Sequence, residues 1–122
     1  MARILLADDD AATRDFVKRS LENDAHTIVT ASEGSEALAL LTGGGDPFEL
    51  LISDYQMPSM DGLSLAEKAN KACPGLPILL ISGFSIDRAQ LSTVNANIVG
   101  LIAKPFTLDQ IRAQTRLALR AG

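Results

Sequence analysis

The sequence lacks tryptophan and contains a single tyrosine and a single cysteine. One cysteine excludes an internal disulfide bond and indicates a reducing compartment. Aromatic residues make up only 4% of the chain, so the core is predicted to consist mainly of Leu, Ile, Val and Ala side chains. The chain also lacks any run of about 18 apolar residues, which excludes a membrane-spanning helix.

Basic residues are few and dispersed. Lys and Arg number 11 against 15 Asp and Glu, the net charge is −4, and the basic residues form no patch. This balance argues against nonspecific nucleic-acid binding, which needs a basic surface. The 122 residues are enough for one domain, spanning 1–122, with a single buried core. Because the first predicted strand begins at residue 3 and leaves no room for a signal peptide, we expect a cytoplasmic protein.

Short apolar runs alternate with segments of helical spacing. The runs cover residues 3–7, 27–31, 49–53, 77–82 and 98–103, and the helical segments cover 11–23, 34–42, 62–73, 84–96 and 107–120. The alternation predicts a doubly wound α/β fold, in which helices cover both faces of a five-stranded parallel sheet. The run at 27–31 alternates polar and apolar residues and is predicted at a sheet edge. The 84–96 segment has few apolar anchors, which predicts a marginal helix.

Charged and hydroxyl side chains stand at the ends of these runs. They are Asp8 and Asp9 after the first run, Asp54 after the third, Ser82 at the end of the fourth and Lys104 after the fifth. In doubly wound sheets, ligands bind at the edge formed by the carboxyl ends of the strands. Carboxylates suit Mg²⁺, and an aspartate can accept a phosphoryl group covalently. The pattern predicts a Mg²⁺ site where Asp54 is the nucleophile, Lys104 a counter-charge and Ser82 a hydrogen-bond donor.

The chain resembles the receiver domains of two-component response regulators over essentially its whole length. The matching segments are Ile4 to Asp9, Arg14, Ala31 to Ala37, Asp54 to Gly62, Ser82-Gly83 and Lys104 to Phe106. The resemblance implies a CheY-like, flavodoxin-like receiver fold with the strand order 2-1-3-4-5. It also implies a cis peptide bond between Lys104 and Pro105, which X–Pro bonds tolerate.

The same resemblance implies roles for individual residues. Asp54 would be the phosphoacceptor, and Ser82 and Lys104 would contact the phosphoryl group. The implied Mg²⁺ ligands are Asp9 and Asp54 directly, Asp8 through water, and Gln56 through its backbone carbonyl. The domain would therefore be a signalling switch that catalyses only its own phosphorylation and dephosphorylation, and not a turnover enzyme.

Two positions bear on how such a switch would respond. Many receivers carry an aromatic residue three positions before the lysine, and this chain has Leu101 there, so an aromatic flip is unavailable. We expect the face formed by residues 84–120 to repack on phosphorylation and to change its partner binding. Phe84 is expected to shield the acyl phosphate from water, and Gln56 to orient or block the attacking water.

The implied partners are a histidine kinase or a histidine phosphotransfer protein, and an unidentified protein output partner. The chain ends where an output domain would begin, so we expect a stand-alone receiver that contacts neither nucleic acid nor membrane, as a monomer or weak homodimer. A phosphorelay intermediate and a receiver excised from a hybrid histidine kinase are the alternatives. Residues 1–7 and 82–84 are similar to single-domain receivers that control cell-cycle proteolysis in alphaproteobacteria.

Two other protein classes share parts of the pattern. A Mg²⁺-dependent hydrolase of the haloacid dehalogenase type also uses an aspartate after a strand, but it carries a second aspartate where this chain has Gln56. A flavodoxin-like cofactor carrier needs a hydroxyl- or glycine-rich phosphate loop after the first strand. Here that loop begins with Asp8 and Asp9, which would repel phosphate. Both classes are therefore less compatible with the sequence than a receiver.

Overall fold

The structure is a computed structural model that describes residues 1–83, 91 and 94–121. Its strands are β1 (Arg3–Ala7), β2 (Thr27–Ala31), β3 (Leu50–Asp54), β4 (Pro77–Ser82) and β5 (Asn97–Ala103). Its helices are α1 (Ala11–Glu22), α2 (Gly34–Thr42), α3 (Gly62–Ala72) and α4 (Leu108–Ala121). Most of the predicted 84–96 helix lies outside the described residues. No helix among the described ranges is long and apolar enough to cross a membrane.

All strand pairs are parallel, and the strand order is β2-β1-β3-β4-β5. The predicted fold class, the strand order and the edge position of β2 are confirmed. The register aligns the carboxyl ends of the strands: Ala7 pairs with Ser53, Asp54 with Ile81, and Ser82 with Ala103. The residues that follow these ends are therefore brought to one edge of the sheet.

The core consists of two clusters, one on each face of the sheet. Along β1, Ile4 and Leu6 belong to the cluster that includes α1 and α4, and Leu5 and Ala7 belong to the cluster that includes α2 and α3. Alternate strand residues point to opposite faces, so helices on both faces leave β3 and β4 buried along their whole length. Every residue of β3, including Asp54, is buried.

Three helices, α1, α3 and α4, begin at residues whose side chains cap them. Asp10 accepts a hydrogen bond from the Thr13 amide in front of α1, and Asp61 accepts one from the Ser64 amide in front of α3. At the start of α4, the Thr107 amide donates to Gln110 Oε1 at 2.8 Å, and the Gln110 amide donates to Thr107 Oγ1 at 3.1 Å. This reciprocal pair is a capping box.

Not every apolar helix residue faces the core. Phe16 in α1 and Leu108 in α4, for example, are 42% and 39% exposed. Val17 and Leu21 face the sheet. Phe16 precedes Val17 in the sequence, so its side chain lies at the side of the face that contacts the sheet. Its ring instead packs against Phe106, with the ring centroids 6.1 Å apart.

Candidate functional site

Backbone pairing fixes the strand ends that carry the predicted site residues. The Tyr55 amide donates to the Ile81 carbonyl at 2.7 Å, which continues the β3–β4 pairing past Asp54. The Lys104 amide donates to the Ser82 carbonyl at 2.8 Å, which continues the β4–β5 pairing. The Lys104–Pro105 peptide bond is cis, as expected. The site residues therefore project from paired backbone at one edge of the sheet.

Three carboxylates converge at this edge. Asp8, Asp9 and Asp54 each offer an oxygen, and these oxygens all lie within 4.8 Å of one another. Asp8 is fully buried, Asp54 is 5% exposed, and Asp9 is exposed to solvent. The predicted clustering of these residues is confirmed, and the cluster is open on the Asp9 side.

Lys104 is the counter-charge of Asp54. Its Nζ donates to Asp54 Oδ2 at 3.2 Å, and the lysine side chain is partly exposed. Burial raises the pKa of the Asp54 carboxyl above its usual value, although Lys104 opposes this shift. The lysine therefore favours the ionised, nucleophilic form of Asp54 without fully cancelling the cost of burial.

Asp8 carries an unpaired oxygen in the buried part of the cluster. Its Oδ1 accepts a hydrogen bond from the Asp10 amide at 2.9 Å. Its Oδ2 has no hydrogen-bond partner. Among the described residues, it is the one buried side-chain nitrogen or oxygen atom without a partner. Burial raises the Asp8 pKa from 3.8 to about 6, against the effects of the Asp10 amide and Lys104. A buried oxygen without a donor, beside two further carboxylates, fits a bound cation.

The loop after β3 approaches the site through Gly62, whose role the sequence alone did not indicate. A Cβ atom on Gly62 would lie 2.6 Å from the Asp54 carbonyl oxygen and 2.9 Å from Tyr55 Cα. The Gly62 amide also donates to the Tyr55 carbonyl at 2.7 Å. Gly62 therefore starts α3 and also makes a close backbone contact behind Asp54.

The other predicted site residues lie in different surroundings. Ser82 is 2% exposed at the end of β4, and Gln56 is exposed in the loop after β3. Leu101 is 38% exposed on the edge strand β5, where it pairs with Leu80. Phe84 lies outside the described residues. The structure therefore brings Ser82 to the site edge and leaves Leu101 on an open surface.

A family model for the response regulator receiver domain matches residues 4–116. The sheet order and the carboxylate–lysine cluster agree with this match, and the chain belongs to the receiver domain family of two-component response regulators. The protein is therefore a signalling domain of CheY-like fold.

Individual relatives support the assignment. The chain is 32% identical over 118 residues to the response regulator MprA of Mycobacterium ulcerans, covering 97% of this chain and 50% of that protein. It therefore spans about half the length of the curated relatives it matches. A CheY-like receiver domain protein from Methanospirillum hungatei has a TM-score of 0.88 at 29% identity, covering 98% and 94% of the two chains. The chemotaxis protein CheY4 of Vibrio cholerae has a TM-score of 0.86 at 26% identity, covering 97% and 98%.

Proposed function

We propose that Asp54 accepts a phosphoryl group from a phosphohistidine of a histidine kinase or histidine phosphotransfer protein, and that the phosphorylated chain changes its affinity for a protein partner. The supporting observation is the contact of Lys104 Nζ with Asp54 Oδ2 at 3.2 Å, beside a cluster of three carboxylates. This arrangement combines an anionic nucleophile with positive charge for an incoming phosphoryl group.

In the proposed transfer, an oxygen of ionised Asp54 attacks phosphorus as the P–N bond of the phosphohistidine breaks. The imidazole nitrogen keeps the bonding electron pair and takes up a proton, and Asp54 becomes an acyl phosphate. Lys104 shifts from its contact with Asp54 to the transferred phosphoryl oxygens and offsets their charge. Ser82, at the adjacent strand end, donates a hydrogen bond to the same group.

Asp8, Asp9 and Asp54, together with the backbone carbonyl of Gln56, would hold Mg²⁺ in this reaction. When bound, the ion neutralises negative charge on the phosphoryl oxygens. The unpaired Oδ2 of Asp8 and the exposed carboxylate of Asp9 provide the hard oxygen donors that Mg²⁺ prefers.

The proposed output lies on the β5 side of the sheet. Leu101 is exposed on β5, three residues before Lys104, which directly follows this strand and contacts Asp54. We propose that repacking at Leu101 alters the partner-binding face.

We also propose that Phe84 and Gln56 set the lifetime of the acyl phosphate. The test is the rate at which the phosphoprotein loses its phosphoryl group in Phe84→Ala and Gln56→Ala. Rates equal to that of the parent would contradict this role.

The transfer is tested by incubating the protein with Mg²⁺ and acetyl phosphate and measuring its intact mass. We expect one added phosphoryl group in the parent and none in Asp54→Asn. Asp46→Asn is the matched control, because Asp46 is an exposed aspartate in the loop before β3, away from the cluster. A phosphoryl group retained in Asp54→Asn, or no modification of the parent, would contradict the proposal.

A further inference from the structure

Arg14 binds the backbone of the carboxylate cluster and none of its carboxylates. Its Nη1 donates to the Asp8 carbonyl oxygen at 2.8 Å, from the first half of α1. Arg14 itself is half-buried. A hydrogen bond from a charged, half-buried guanidinium is stronger than one between neutral groups, so it holds the Asp8 carbonyl in place.

The bond completes the fixation of Asp8. The Asp8 amide donates to the Ala31 carbonyl at 3.1 Å, and Asp8 Oδ1 accepts from the Asp10 amide at 2.9 Å. With Arg14 on the carbonyl, Oδ2 is the one Asp8 hydrogen-bonding atom that remains unpaired. These three hydrogen bonds restrict the orientation of that oxygen.

Arg14 also orients the exposed neighbour of Asp8. The Asp8 carbonyl and the Asp9 amide belong to one planar peptide unit. A hydrogen bond on that carbonyl therefore limits rotation of the plane from which Asp9 projects. Because Asp9 is exposed, this backbone anchor restricts a ligand that burial does not hold in place.

The charge of Arg14 also acts on Glu36 of α2. Glu36 accepts hydrogen bonds from the amide and hydroxyl of Ser32 at 2.7 and 3.0 Å. These bonds, and to a smaller extent the charge of Arg14, lower the Glu36 pKa. The guanidinium charge is thus close enough to favour ionised Glu36, while its hydrogen bond goes to the backbone of the cluster.

We propose that Arg14 is a positioning residue for divalent-cation binding: it holds the Asp8–Asp9 peptide so that the oxygens of Asp8, Asp9 and Asp54 converge. The inference rests on the proposed function, in which this cluster binds Mg²⁺. Groups that orient metal ligands typically contribute about 10- to 100-fold to metal affinity. We expect Arg14→Met to weaken Mg²⁺ binding by about tenfold, the lower end of that range.

Electrostatics alone predicts the opposite sign. Loss of a positive charge near three carboxylates makes the cluster more attractive to a dication, so a purely electrostatic Arg14 would strengthen Mg²⁺ binding when removed. The direction of the change therefore separates positioning from charge.

The test is calorimetric titration of Mg²⁺ into the parent, Arg14→Met, Arg14→Lys and Arg19→Met, with the melting temperature of each metal-free protein measured alongside. Arg19 is the matched control, because it lies on the same helix, is exposed and pairs with Asp15. We expect parent affinity in Arg19→Met and a partial recovery in Arg14→Lys, whose ammonium can still donate to the Asp8 carbonyl.

The outcomes separate this inference from the function on which it rests. No Mg²⁺ binding by the parent would refute the proposed site itself. Unchanged or tighter binding in Arg14→Met, with the parent binding normally, would refute the positioning role alone. If Arg14→Met does not fold, Arg14→Lys decides. Mg²⁺ affinity below that of the parent, with an unchanged melting temperature, supports the positioning role. Mg²⁺ affinity equal to or above that of the parent overturns it.

Discussion

Burial of Asp8 opposes folding and prepares the residue for a cation. Its side chain is fully buried, and Oδ2 receives no hydrogen bond within the described part of the chain. The folded-state pKa of about 6 lies above the ordinary 3.8, so the folded protein binds this proton more tightly than the unfolded chain does. The fold is therefore most stable with Asp8 protonated. The contribution of the protonated group is fully present below about pH 3.8 and is lost as the pH rises through about 6.

Substitution of Asp8 by Asn should stabilise the metal-free protein at neutral pH. Asn removes the buried charge, and its amide can donate to the neighbouring carboxylates. We expect the free energy of unfolding at pH 7.5 to rise by about 3 kcal/mol, an order-of-magnitude figure from the shifted pKa. The change is measured by denaturant unfolding of the parent and of Asp8→Asn in buffer that contains a chelator, which keeps both proteins free of metal.

The pH dependence is the control for this prediction. At pH 4 the parent Asp8 is mostly protonated in the folded state, so the advantage of Asn should shrink to a small fraction of its value at pH 7.5. An Asp8→Asn protein that is less stable than the parent at pH 7.5 would show that burial of the ionised carboxylate is compensated within the chain.

At the scale of elements, the β3–loop–α3 connection fixes Asp54 from behind. Gly62 begins α3 in contact with the Asp54 carbonyl, and Asp61 caps the same helix through the Ser64 amide. The cap is local and readable from the residues in front of an apolar helix stripe. The glycine contact depends on how α3 returns to the sheet, so sequence spacing alone could not reveal it.

Gly62→Ala should destabilise the protein, although alanine is the better helix former. The added Cβ would meet backbone atoms at 2.6 and 2.9 Å, which cannot rotate away as a side chain could. We expect a loss of about 2 kcal/mol, within the range for overpacking. Thermal unfolding measures it, with Gly45→Ala as the control, since a Cβ there meets nothing within 4 Å. Equal melting temperatures for the two variants would contradict the prediction.

Element boundaries show what sequence patterns resolve. The predicted strands and helices were confirmed to within one residue at each end wherever the structure describes them. The one-residue difference that matters is at Asp54, which was expected directly after β3 and is its last residue. Its pairing with Ile81 places the carboxylate on buried, paired backbone, which explains its raised pKa.

At the scale of the whole molecule, the site exists only in the folded state. Asp8 and Asp9 follow β1, Asp54 ends β3 and Lys104 follows β5, so unfolding separates every pair of groups except the first two. Because the cluster is assembled only in the folded state, cation binding and global folding are coupled.

A second long-range contact ties the last helix to the rest of the fold. Arg112 of α4 donates to both carboxylate oxygens of Asp24 and links α4 to the connection between α1 and β2.

Mg²⁺ should raise the stability of the whole protein. At a Mg²⁺ concentration one hundred times the dissociation constant, linkage gives about 2.7 kcal/mol, because the unfolded chain offers no assembled cluster. We expect the gain in unfolding experiments with and without chelator, and its loss in Asp9→Asn. Asp46→Asn should retain the full gain, and a gain of equal size in Asp9→Asn would refute binding at the cluster.

The amino-acid sequence by itself determined the alternation of strands and helices, the helix caps and the identity of the residues at the strand ends. These are local properties: periodicity, capping geometry and the position of a charge after an apolar run. Only the tertiary structure decided the separations within the cluster, the unpaired Oδ2 of Asp8, the contact of Gly62 and the bond from Arg14 to the Asp8 carbonyl. Each of these depends on the register and packing of segments distant along the chain, and such long-range geometry is set by the whole core and not by any local pattern.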